Sequence, residues 1–216
     1  MDGFRLCLAL GPLTVYLLLL AWINLSRRPF LVSGARDLAA LGVAVSGMVL
    51  VGPIELLLPE QAIYVYKGYV WLLLLVMYSL CVSLAALLSR QRLTIYNFSL
   101  EQLRPLLAET IDEIEPEARW AGTCLSLPKL RVELHLESSP ALKNVSLVAT
   151  GDEQSFAGWR RLEQALRSRL RQAESPANAW GVVLAFGSFV LAACIGWQVM
   201  LHPQAVTAGF REMLRM

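Results

Sequence analysis

Four apolar runs, at residues 6–25, 38–58, 69–88 and 180–201, constrain this chain more than any other feature of its sequence. Each is close to the roughly 20 residues that a helix needs to cross about 30 Å of hydrocarbon. With no water there to satisfy backbone polar groups, a lone segment of that length crosses as a helix. Most of the polar residues fall in one insert, 90–176, between the third and fourth runs. The expected fold is an α-helical, four-span, multi-pass membrane protein with a small α/β sandwich domain inserted at 90–176. Residues 177–216 then supply the fourth span and a short tail. The charged fraction, 17%, lies below the about 25% of soluble domains, as embedded segments require.

The first run follows Arg5 as a secretory signal would. It exceeds the about 7 to 15 residues of a signal core, however, and ends in a stop-transfer pattern, Trp22-Ile23-Asn24-Leu25-Ser26-Arg27-Arg28, so it is expected to stay as a span. Cys7, Cys81 and Cys194 lie in runs and Cys124 in the insert, with no metal-knuckle or redox spacing. They read as small buried hydrophobes.

Basic residues in short loops orient such a chain. The first link carries Arg27, Arg28 and Arg36, the second only Lys67 beside Glu55 and Glu60, and Arg90 and Arg92 follow the third run at once. Fifteen Lys and Arg fall on the side of the first link and the insert, against four on the other. The expectation is a cytoplasmic insert with both termini outside, in a bacterial inner membrane. Tyr64, Tyr66, Tyr69 and Trp71 then mark the outer boundary, with Trp22 and Trp180 at the inner one. Val206, Phe210, Met213 and Leu214 recur at helical spacing, which predicts a short amphipathic tail helix on the outer surface.

Within the insert, β-branched and aromatic residues at 92–98 predict a strand. Ser99 with Gln102 makes a capping box for a helix to about Glu115, with Leu103, Leu106, Leu107, Ile111 and Ile114 as its apolar stripe. Pro105 implies either a kink or a later start. A strand at 120–127, a strictly alternating one at 129–137 and a third at 144–150 follow. After Gly151-Asp152 a last helix runs to about Gln172, with Phe156, Trp159, Leu162, Leu166 and Leu170 on one face. That order predicts both helices on one face of a mostly antiparallel sheet.

Chemistry is harder to find. Phosphate-binding glycine loops, a nucleophile elbow and a paired-histidine zinc helix are absent, so no catalytic residue, metal ligand or cofactor is assigned. Nucleic-acid binding lacks its basic, aromatic face. His135 and His202 read as surface residues, and Glu55 sits near enough to a span end to reach water. Three features are left. Gly42 with Ser46, and Ser188, Ala192 and Gly196, recur every four residues and suit close helix packing, within the chain or against another subunit. Arg160, Arg167 and Arg171, with Arg161 and Arg169 nearby, form a basic edge open to three readings: a solvated face, contact with membrane lipid, or docking to an acidic partner. The acidic first helix is a possible internal counter-charge. The leading expectation is a non-enzymatic membrane subunit or anchor presenting the domain to a protein partner or a second copy. A transporter or channel component is one alternative. A membrane enzyme using Glu133 and Glu137 at the inner face is another.

Overall fold

A computed structural model describes residues 3–54, 69–139, 142–151, 153–204, 206 and 207. Its helices are Gly3–Leu25 (α1), Gly34–Val49 (α2), Tyr69–Leu88 (α3), Leu100–Ile114 (α4), Phe156–Leu170 (α5) and Trp180–Leu201 (α6). Its strands are Phe30–Ser33 (β1), Arg92–Tyr96 (β2), Arg119–Ala121 (β3), Cys124–Leu127 (β4), Val132–Ser139 (β5) and Asn144–Ala149 (β6). The chain forms two compact units, one of residues 1–20, 38–88 and 183–216, the other of residues 21–37 and 89–182.

Among the described residues, four helical stretches are long and apolar enough to cross a membrane: Gly3–Leu25, Gly34–Gly52, Trp71–Leu88 and Trp180–Leu201. They support a multi-pass membrane protein. The second starts four residues earlier than its apolar run, because Gly34, Ala35, Arg36 and Asp37 already form the first turn of α2. Beyond Val49 the helix widens into π-type turns over Leu50–Ile54. Glu55, Lys67, Tyr64, Tyr66, the expected second-span end at 58 and the tail residues Phe210, Met213 and Leu214 lie outside the described residues.

The second unit is built on a six-stranded sheet, antiparallel throughout, in the order β1-β2-β6-β5-β4-β3. One face carries Leu93 and Ile95 of β2, Val145 and Leu147 of β6, Val132, Leu134 and Leu136 of β5, and Leu125 and Leu127 of β4. These pack with Leu103, Leu107 and Ile111 of α4 and Trp159, Leu162, Leu166 and Leu170 of α5 in a single core. Both helices therefore cover one face, as the alternation along the strands requires.

Four local features depart from the sequence reading. First, the link between α1 and α2 is not merely a loop: Phe30–Ser33 pairs with Tyr96–Leu93 as an edge strand and buries Leu31. Second, residues 120–127 are a hairpin rather than one strand. Gly122 turns it at φ +66° while Thr123 keeps an ordinary negative φ, the pattern of a type II′ turn. Third, the alternating strand starts at Val132, because Pro128 to Arg131 make a turn instead. Here Glu115, fully buried, accepts the backbone N–H groups of Lys129 and Leu130. Lys129 also bonds Glu117 at 2.8 Å, which holds that carboxyl below its ordinary range. Fourth, α4 starts at Leu100 with the expected Ser99–Gln102 capping box, yet Pro105 lies well inside it, so the later start is not what the chain adopts. α5 begins only at Phe156, capped by Ser155, and leaves Phe156 itself exposed.

A set of buried polar bonds joins the chain segments of this unit where they enter and leave it. Asn97 donates through Nδ2 to the Ser26 carbonyl at 2.6 Å, and the Ser175 N–H donates to the Arg27 carbonyl at 2.9 Å. Asn178 donates from its backbone to the Asn24 carbonyl at 2.9 Å and through Nδ2 to Asn24 Oδ1 and the Leu142 carbonyl. Asn24, Asn97 and Asn178 are all buried.

Two outcomes follow from this packing. A fragment of residues 89–182 lacks β1, so it exposes the β2 edge and the Leu31 site. Appending residues 26–33 through a linker should raise its stability by about 2 kcal/mol, the worth of burying one leucine. Equal denaturation midpoints with and without the segment would show that β1 is dispensable. The second concerns Gly158, where an added Cβ would lie 2.2 Å from the Leu130 carbonyl oxygen. Gly158→Ala gains up to about 1 kcal/mol of helix propensity. Overpacking at about 1–3 kcal/mol should outweigh it, so chemical denaturation should show a net loss.

Candidate functional site

The structure divides the basic edge of α5. At its start, Arg160 lies over the Phe156 ring, 5.1 Å from the centroid, a cation–π contact open to solvent. Toward its end, Arg169 pairs with Glu113 of α4, so part of the acidic helix does neutralise part of the basic one. Arg167 bonds Glu163 one turn back at 2.8 Å. Arg167 and Arg171 also line a depression of about 380 Å³, shared with Arg36 from the start of α2 and with Phe30, Leu31, Val32 and Leu170. Arg160 is not part of it. Arg36 is the residue that sequence reasoning missed, because it counted there only as a loop charge. The signal was present in Phe30-Leu31-Val32, a strand-forming apolar run inside an otherwise basic link.

The sheet face turned away from the helices is polar. Asp37, Arg92, Tyr96, Glu137, Asn144 and Ser146 line a depression of about 280 Å³ on it. The Tyr96 hydroxyl donates to Asp37 Oδ1 at 2.7 Å, Arg92 lies 3.6 Å from the other carboxylate oxygen, and Thr94 and Ser146 hydroxyls meet at 3.3 Å. Glu133 is elsewhere: its backbone is held by the Gln154 amide, and four residues of strand put it about 13 Å from Glu137. The two carboxylates of the membrane-enzyme alternative therefore do not meet. Among the described residues, no group of three or more His, Cys, Asp and Glu could hold a metal ion.

His135 lies between these glutamates, with Nδ1 3.2 Å from Thr123 Oγ1 and 3.6 Å from Cys124 Sγ. Cys124 is exposed, contrary to the expectation of a buried hydrophobe. It pairs in register with His135 and so shares the wet face of the sheet, where burial had been inferred from residue type alone.

The small residues also separate. Gly42 is a true close approach: a Cβ there would lie 2.6 Å from Val82, and its carbonyl accepts the Tyr78 hydroxyl at 2.6 Å. Ser46 and Ser188 return their hydroxyls to Val43 and Ala185 of their own helices. Ser188 is buried, whereas Ala192 and Gly196 are exposed, and among the described residues nothing lies within 4 Å of a Cβ at Gly196. Among the described glycines the tightest contact is at Gly47, where a Cβ would fall 1.9 Å from the Leu8 carbonyl oxygen. It stands outside both four-residue stripes, which is why spacing did not find it.

No protein-family model, curated protein or solved structure matches this chain.

With the protein in lipid nanodiscs, a membrane-impermeant maleimide should modify Cys124 and spare Cys7, Cys81 and Cys194. Mass spectrometry should show one adduct per chain, abolished by Cys124→Ser. An adduct surviving that substitution would place another thiol in water.

Proposed function

We propose that the chain is a non-enzymatic subunit or anchor of a bacterial inner membrane, crossing it four times with both termini outside and its sheet domain in the cytoplasm. In this reading the domain presents its wet sheet face to a protein partner. The observation that carries it is connectivity. The chain passes between the two units four times, after residues 20, 37, 88 and 182, and only eight residues separate α1 from α2. A domain tethered in this way suits display of a surface at the bilayer.

The chemistry of the face supports the same reading. Transient interfaces are about as polar as the rest of a protein surface, and Arg and Tyr are over-represented among their strongest contacts. Arg92 and Tyr96 stand here beside Glu137 and Ser146. The sidedness is supported by the excess of Lys and Arg in the first link and the insert, fifteen to four.

Two measurements test the proposal. In a background free of native cysteines, a cysteine at Thr207 should react with an impermeant reagent in intact cells, and one at Ser138 only after permeabilisation. The reverse pattern would invert the topology. A photo-crosslinking residue at Ser146 should give a discrete heavier adduct in cells, and the same residue at Ala157 on the helical side should not. Adducts at neither position, or equally at both, would count against docking through the sheet face.

A further inference from the structure

We propose that the depression between β1 and the C-terminal end of α5 holds the phosphate of an anionic phospholipid, gripped by Arg36, Arg167 and Arg171. The inference rests on reading α1 and α2 as membrane spans.

Three arginines from two distant parts of the chain line one depression of about 380 Å³. Among the described residues, no carboxylate lies within ion-pair distance of Arg36 or Arg171, and Arg167 has Glu163 as its one acidic partner. Each guanidinium carries five donors in a planar fork suited to phosphate oxygens, so most of that capacity is open. The carbonyl end of α5 opposes an anion here with roughly half a charge. Three arginines outweigh it, even after Glu163 is counted.

A free phosphate would satisfy the same donors, and the floor of the site separates the two sources. Leu31 and Leu170 are buried and make a firm apolar base, and Phe30, whose side chain alternates to the other face of the edge strand, lines the rim 47% exposed. Inorganic phosphate has no use for that surface, whereas the glycerol and first methylenes of a lipid do. Position points the same way. Arg36 is the third residue of the candidate span Gly34–Gly52, which puts it where a span meets headgroups. Phe30 is five residues past the end of α1, a reach of at most about 17 Å. On that reading the depression lies close to the headgroups.

The test uses the full chain, recovered first in phosphatidylcholine nanodiscs; failure to insert there would reject the spans themselves, apart from this inference. Detergent-purified protein is then offered phosphatidylglycerol and phosphatidylcholine together, and retained lipid is read by native mass spectrometry. The wild type should retain phosphatidylglycerol selectively. Arg36→Gln with Arg171→Gln should weaken that retention about 25-fold, fivefold per charge, which corresponds to ~1 kcal/mol each. Phe30→Glu should weaken it through the same groove, and Arg160→Gln with Arg161→Gln should leave it unchanged. Thermal midpoints in phosphatidylcholine serve as the folding control. The proposal is overturned if the wild type takes both lipids equally or if the Gln pair and Phe30→Glu both retain phosphatidylglycerol as the wild type does. Displacement of the lipid by millimolar inorganic phosphate would reassign the site to the free anion and also overturn it.

Discussion

The pairing of β1 with β2 is the contact on which the rest of the sheet domain depends. Without it β2 would be an open edge strand, a template for unwanted association, and the core would lose Leu31. The asparagines bonded at the domain's entry and exit belong to the same arrangement. Asn97 reaches Ser26, and Asn178 reaches Asn24 and Leu142, so segments far apart in sequence are joined through buried amides. A buried amide left without its partner costs about 1–3 kcal/mol. The link between the first two candidate spans is therefore part of the domain's own fold.

That arrangement gives the domain two unlike surfaces. One is the wet sheet face, where Asp37, Arg92 and Tyr96 are already bonded to one another and Glu137 and Ser146 stand beside them. The other is the groove where Arg36 meets Arg167 and Arg171 over apolar residues. The first carries two carboxylates and one guanidinium among uncharged polar side chains; the second has a basic excess and apolar lining residues. On the proposed reading the two do not compete, because one faces away from the helices and the other is made by the strand adjoining α1 and α2. Basic charge alone did not distinguish them. Arg169 and Arg160 are as charged as Arg171, yet one is spent on Glu113 and the other lies over Phe156.

Much of the domain was legible where a single local rule governs. The Ser99–Gln102 capping box, the alternation along β5 and the buried stripe of α4 all depend on residues three or four apart, or on every second residue. Legibility ended wherever a residue's role depends on a partner remote in sequence. Leu130 continues the alternation of β5, but Glu115 from the end of α4 draws its backbone into a turn. Gly122 divides an apolar run that composition alone reads as one strand.

The sequence by itself determined where four segments can cross a bilayer, that the polar mass is concentrated in one insert, and that Lys and Arg gather in the first link and the insert. Each of these follows from hydrophobic length or charge summed along the chain, and such sums need no knowledge of the fold. Only the tertiary structure decided that Phe30–Ser33 belongs to the sheet, that Gly47 rather than a spaced stripe makes the tightest helix contact, and that Arg36 joins Arg167 and Arg171 while Arg160 does not. The physical reason is common to all three. Strand pairing, close backbone approach and convergence of charge each depend on distances through space between residues that are far apart in the chain, and no periodicity within one segment encodes them.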